Sequence, residues 1–106
     1  MGDPELDALK REFLAEAREK VDEMQSKLDE HSPQTLERVV YLAHQLKGSG
    51  GSYGFQRIST EAADLEKTVE RWSKGDSGDG IEASVRQHVD NIRAEIERGT
   101  RELAPA

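Results

Sequence analysis

His44-Gln45-Leu46-Lys47-Gly48-Ser49-Gly50-Gly51-Ser52-Tyr53-Gly54 is the stretch that interrupts an otherwise ordinary series of amphipathic helices. It begins on a helical pattern and runs into small residues, so a helix must stop inside it. Glycine-glycine-serine is a poor helix interior and a good terminator, which places the stop near Gly50-Gly51. Back from there, Leu36, Val39, Ala43, Leu46 and Gly50 recur at steps of three and four, the spacing of one buried helix face. His44 falls one residue off that stripe, on the row Val40, His44, Lys47, Gly51, and reads as flanking and partly exposed. Residues three and four apart on a helix are neighbours, with Cβ atoms roughly 5–6 Å apart, so His44, Lys47 and Gly48 share one patch. A nucleophile, a cation and a missing side chain together suit a histidine that another protein must reach and that must carry an anion.

Outward from this stretch the same periodicity repeats. Ser32 can cap and Pro33 can start the helix that bears His44. Before it, Asp3-Pro4 opens a first helix, and Leu6, Leu9, Phe13, Ala17, Val21, Met24 and Leu28 form one apolar stripe over its length. The acidic opposite face argues against a membrane-surface helix. After it, Phe55, Ile58, Ala62, Leu65, Val69 and Trp72 mark a third helix ended by Lys74-Gly75, with Gly54 letting the chain turn into it. Asp76-Ser77-Gly78-Asp79-Gly80 is a polar, glycine-rich loop. Ile81, Val85, Val89, Ile92, Ile96 and Leu103 mark a fourth helix, and Ala104-Pro105-Ala106 a frayed end. No β-branched run alternates with polar residues, so strand signals are absent. Helices over about 4–29, 33–51, 55–73 and 81–102, joined by short connections, predict an all-α, antiparallel up-down-up-down four-helix bundle spanning residues 1–106 as one domain. Two long hairpins that must dimerise are the alternative; the near-equal helix lengths favour closure within one chain, and a monomer is expected.

Composition narrows the function. Hydrophobic residues are 34% of the 106 and charged residues 35%, the latter well above the usual ~25%. There is no cysteine, which removes disulfides and thiolate metal sites and fits a cytoplasmic location. No apolar run approaches the ~20 residues of a membrane span, and no signal peptide opens the chain; Met1-Gly2 reads as a cloning remnant. A net charge of −7 argues against nucleic-acid partners, which need a basic footprint. The charge is unevenly spread: residues 3–30 carry a net −5 and residues 76–106 a net −3, while residues 33–53 carry +1 and residues 55–75 none. The least acidic face surrounds His44 and could accept an acidic partner, unless buried helices simply carry fewer charges.

Of the other histidines, His31 sits in the polar break and reads as solvated, and His88 lies near the last apolar stripe and reads as partly buried and structural. Neither has metal-ligand spacing to a second histidine, and no His-Glu-x-x-His pattern exists. Lys47 is either a surface lysine or a cation set beside an anion on His44. Gly48 costs about 1 kcal/mol against alanine in a helix and leaves room for an approaching protein. Ser49 continues the small surface, and Gly50 is better explained by close helix packing. Glu66 flanks Leu65 as His44 flanks Ala43, so antiparallel pairing of the two helices could bring them together; otherwise Glu66 is a solvent carboxylate beside a lysine.

His44-x-Leu46-Lys47-Gly48, with Gly54 ten positions after the histidine and Phe55 next, resembles the signature of histidine-containing phosphotransfer domains, the Hpt domains of bacterial phosphorelays. The likeness extends over most of the chain, from the acidic first helix with Phe13 and Glu16-Ala17 to the Leu65-Glu66 pair. It is also similar to the phosphoacceptor domain of chemotaxis histidine kinases. The resemblance implies that His44 receives a phosphoryl group on Nε2 from a receiver aspartate or a sensor histidine kinase and passes it to a response-regulator receiver. It implies that Lys47 stabilises the phosphoryl group and that Gln45, Gly48, Ser49 and Gly51 give partner access. In the chemotaxis relatives a glutamate at the twenty-two-residue separation of Glu66 hydrogen-bonds the histidine; Gln45, where those kinases often carry threonine, leans towards a phosphorelay Hpt domain. No bound cofactor and no resident metal are expected, the divalent metal being supplied by the receiver, and no autonomous kinase activity is expected. A phosphoacceptor domain cut from a chemotaxis-type kinase and a non-phosphorylated helical adaptor are the competing expectations. A metal-binding bundle is more distant, since no Glu-x-x-His repeat occurs.

Overall fold

The structure, a computed structural model, describes residues 3–30, 32–75 and 80–103. Met1-Gly2, His31, Asp76 to Asp79 of the polar loop and Ala104-Pro105-Ala106 lie outside the described residues. Four helices follow one another: α1 (Pro4–Glu30), α2 (Pro33–Ser52), α3 (Gln56–Ser73) and α4 (Ile81–Glu102). Among the described residues there is no strand. Each helix packs on its two neighbours around a closed ring, α1–α2–α3–α4–α1, and among the described residues the Cα atoms of the diagonal pairs stay more than 8 Å apart. This is the four-helix bundle that the stripes predict.

The stripes make the core. Met24, Leu28, Leu42, Leu46, Ile58, Leu65, Ile92 and Ile96 are among its largest fully buried side chains, each contributing roughly 1.5–3 kcal/mol by leaving water. Two ends of the sequence pattern need correction. Leu6 and Leu9 are 42% and 46% exposed, although their spacing continues the α1 stripe. The reason is length: α4 ends beside Arg11, whose guanidinium donates to the Leu103 carbonyl at 2.8 and 3.2 Å, so the first turns of α1 overhang the bundle. Leu14 and Leu42, which lie beside the strict three-four series, are buried instead, because a helix between two neighbours needs an apolar face wider than one row.

The second correction concerns the glycines. The α2 helix does not stop at Gly50-Gly51 but runs through both to Ser52. Its stop is Gly54, at φ +84°. There the Phe55 amide donates to the Gly50 carbonyl (2.8 Å) and the Gly54 amide to the Gly51 carbonyl (3.2 Å), the paired bonds of a glycine-terminated helix end. Gly50 is in place for a different reason. A Cβ on it would stand 3.2 Å from the backbone nitrogen of Ser59 and 3.4 Å from both Ile58 Cγ2 and the Phe55 carbonyl. Its missing side chain is what lets α2 and α3 close.

The same turn ties the bundle end together. Phe13 of α1 stacks on Tyr53 (5.4 Å between centroids) and Phe55 (5.5 Å). Gly99 of α4 admits Phe55 and Leu14, which a Cβ would meet at 3.2 and 3.3 Å. At the other end Ser32 caps α2 reciprocally with Thr35: the Thr35 amide donates to Ser32 Oγ at 3.2 Å and the Ser32 amide to Thr35 Oγ1 at 2.8 Å. No helix among the described residues is long and apolar enough to cross a membrane.

Candidate functional site

The α2–α3 register decides the geometry around His44. Gly50 lies against Ser59, and the Ser59 hydroxyl donates to the Lys47 carbonyl at 2.8 Å. Six residues back along α2 from Gly50 and seven forward along α3 from Ser59 are His44 and Glu66. His44 is flanked by buried Ala43 but is itself off the core face, and its side chain is 64% exposed. Glu66 is flanked by buried Leu65, and its side chain is only 15% exposed.

The two meet. Glu66 Oε2 lies 3.1 Å from His44 Nδ1, and Glu66 Oε1 lies 3.1 Å from Lys47 Nζ. An ionised carboxylate can only accept. The 3.1 Å contact is a hydrogen bond when the imidazole carries its proton on Nδ1, the tautomer that leaves the Nε2 lone pair free. The carboxylate orients the ring and stabilises positive charge that develops on it. Lys47 is thus engaged with Glu66, and its side chain is 40% exposed. A Glu66→Gln variant is expected to keep the helical fold and to slow any reaction of His44 as a nucleophile roughly tenfold, since a charge-assisted hydrogen bond is lost. Initial rates beside circular dichroism check this; an unchanged rate would show that the contact does not act on the ring.

On the other side of His44 is an open groove between α1 and α2, about 580 Å³ in volume. Lys20 of α1 and His44, Gln45, Gly48, Ser49 and Ser52 of α2 line it, with Tyr53 at its end. Gly48 is exposed, and a Cβ there would have nothing within 4 Å, so this glycine opens surface where Gly50 closes a helix pair. Gln45 and Ser49 are half-buried along the groove. Gly51 is not on it: its missing side chain faces Ser59 Oγ of α3, at 3.6 Å from where a Cβ would be.

Two residues near the site were not singled out from sequence. Tyr41, half exposed, accepts a hydrogen bond from Gln45 Nε2 at 2.7 Å and lies under the Arg38 guanidinium at 5.2 Å. Its signal was an aromatic on the polar face one turn before the histidine. Lys20 left no local signal, because it reaches the site only through the packing of α1 on α2.

His88 is a second histidine–carboxylate pair, on the opposite flank of α3. Its Nδ1 is 2.8 Å from Glu61 Oε2, but its side chain is only 22% exposed, no lysine shares its helix, and the one glycine there, Gly99, is buried eleven residues on. Among the described residues no group of three or more His, Cys, Asp or Glu could hold a metal ion. What the His44 arrangement offers chemically is one exposed, oriented imidazole nitrogen, a carboxylate behind it, and open surface in front.

Comparison with protein families gives one result that bears on this geometry: the model of the Hpt domain matches residues 8–98. No curated protein and no solved structure matches the chain.

Proposed function

The chain belongs to the Hpt domain family, whose members carry phosphoryl groups in two-component signalling, and we propose that it does so on Nε2 of His44. The observation that carries this reading is the His44–Glu66 contact, 3.1 Å at Nδ1 on an imidazole that is otherwise 64% exposed. A receiver domain docks over α2, and the Nε2 lone pair attacks the phosphorus of its aspartyl phosphate. The N–P bond forms as the P–O bond to the aspartate breaks, and that electron pair returns to the receiver's carboxylate. The ring, still protonated on Nδ1, becomes a phosphoimidazolium, and the Glu66 carboxylate offsets its charge. The reverse step hands the group to the next receiver.

Phosphoryl transfer is mostly positioning and electrostatic stabilisation. Here the divalent metal and electrophilic groups are assigned to the receiver, and this chain supplies an oriented nucleophile. It is read as a monomeric carrier in the cytoplasm, without kinase activity of its own, taking its phosphate from a receiver or a sensor histidine kinase. Incubation with a panel of phosphorylated receiver domains tests this: acid-labile, base-stable label should pass to the chain and back. No label across a broad panel, with histidine kinases added, would leave a helical adaptor instead.

Gly48 gives a more selective check. A Gly48→Gln variant is expected to gain about 1 kcal/mol of stability from helix propensity, because the new side chain meets nothing. It is expected to accept phosphate from receivers at least tenfold more slowly, because the side chain stands where the receiver must approach. Melting curves and transfer time courses read both effects; unchanged kinetics would mean that Gly48 does not face the partner.

A second reading rests on the same Glu66 contact, which resembles that of chemotaxis-type kinases: the chain would be the phosphoacceptor domain of such a kinase. Phosphorylation by a kinase catalytic domain, with no exchange with receivers other than its own, would favour it.

A further inference from the structure

We propose that Lys20, on α1, is a second cation for the phosphoryl group carried by His44, contacting it across the α1–α2 groove. This rests on the phosphocarrier reading and goes beyond it, since the residues that reading uses, His44, Lys47, Gly48 and Glu66, all lie on α2 and α3.

Four observations lead there. First, the imidazole turns Nδ1 towards α3, so the reacting Nε2 is the nitrogen left facing outward. Lys20 and His44 line the two walls of one open groove. Second, the motif lysine is committed elsewhere: Lys47 Nζ is 3.1 Å from Glu66 Oε1. A phosphoryl group with nearly two negative charges would have to draw it off the carboxylate that orients the ring. Third, the Lys20 side chain makes no hydrogen bond or ion pair among the described residues. It is half-buried, which for a lysine means a stem laid on the protein and a mobile ammonium.

Fourth, the surrounding charge is arranged for an anion. The first helix is strongly acidic and as a whole would repel a phosphoryl group. One turn after Lys20, however, Glu23 is tied up by Arg38, with bonds of 2.6 and 3.2 Å. That hydrogen bond holds the Glu23 carboxyl below its ordinary range, and the guanidinium offsets its charge. Glu16, one turn before, is exposed and does not line the groove. The α1 wall of the groove therefore presents a cation, although the helix as a whole carries an excess of acids.

The test needs no partner. The chain is phosphorylated chemically with phosphoramidate, and the phosphohistidine signal is followed by ³¹P NMR through the second ionisation of the phosphoryl group. A nearby cation favours the dianion and lowers that ionisation. Lys20→Gln is expected to raise it by about half a pH unit, and Lys20→Arg to leave it near the wild-type value. A merely structural role for Lys20 would not move this titration. Three results overturn the proposal. A titration identical in wild type and Lys20→Gln removes Lys20 from the phosphoryl group while leaving the carrier reading intact. An unchanged titration with slower uptake from phosphorylated receivers assigns Lys20 to the receiver's surface instead. A wild type with no phosphohistidine at His44 removes the carrier reading as well.

Discussion

Gly50→Leu is expected to destabilise the chain by about 2–3 kcal/mol, lowering the melting temperature by roughly 10–20 °C, and to impair any chemistry at His44. The leucine gains helix propensity worth about 1 kcal/mol, but a Cβ alone would stand 3.2 Å from the Ser59 backbone nitrogen. That atom belongs to the α3 helix, so it cannot give way as a flexible side chain would. The two helices must separate or slide. Separation costs buried contact among Leu46, Ile58 and Leu65, all fully buried. Sliding moves Glu66 away from His44, because the same contact sets their register. Gly48, two residues earlier, is expected to behave oppositely, gaining stability on substitution. Thermal unfolding of the two variants side by side is decisive: equal melting temperatures would mean that Gly50 does not hold α2 against α3.

His44→Gln is expected to carry no phosphate while His88→Gln carries as much as wild type. Both histidines point Nδ1 at a carboxylate, at 3.1 and 2.8 Å, so that contact alone does not distinguish them. Three further features do. His44 is 64% exposed against 22% for His88. Lys47 lies one turn on from His44, whereas no lysine follows Ile81 to the end of the chain. Gly48 clears the surface beside His44. Glutamine fits an exposed helix position and keeps an amide that can reach Glu66, so stability should change by no more than about 0.5 kcal/mol. Label retained by His44→Gln and lost by His88→Gln would move the acceptor to α4.

Much of this was legible in the sequence because helical periodicity reports burial directly. Val39, Ala43 and Leu46 mark the face of α2 that packs, and the single-residue offset of His44 from them foretells its exposure. The same offset of Glu66 from Leu65 foretells that the two flanks can meet. The overhang of α1 was not legible, since Leu6 and Leu9 keep the period and only the lengths of the neighbouring helices expose them. The glycines were misjudged where one property stood for another. Gly50 and Gly51 look like a helix stop by propensity, but packing on α3 keeps them helical, and the positive φ falls at Gly54. Lys20 and the Glu61–His88 pair depend on which helices are neighbours, information that no local pattern carries.

The most direct test of the carrier chemistry is a long-range ¹H–¹⁵N NMR spectrum of the His44 imidazole in the wild-type chain, recorded before and after phosphorylation. A ring protonated on Nδ1 beforehand, and coupled to ³¹P through Nε2 afterwards, is the result that the Glu66 contact requires. A ring protonated on Nε2 beforehand, or phosphorus coupled to Nδ1 or to His88, would contradict it.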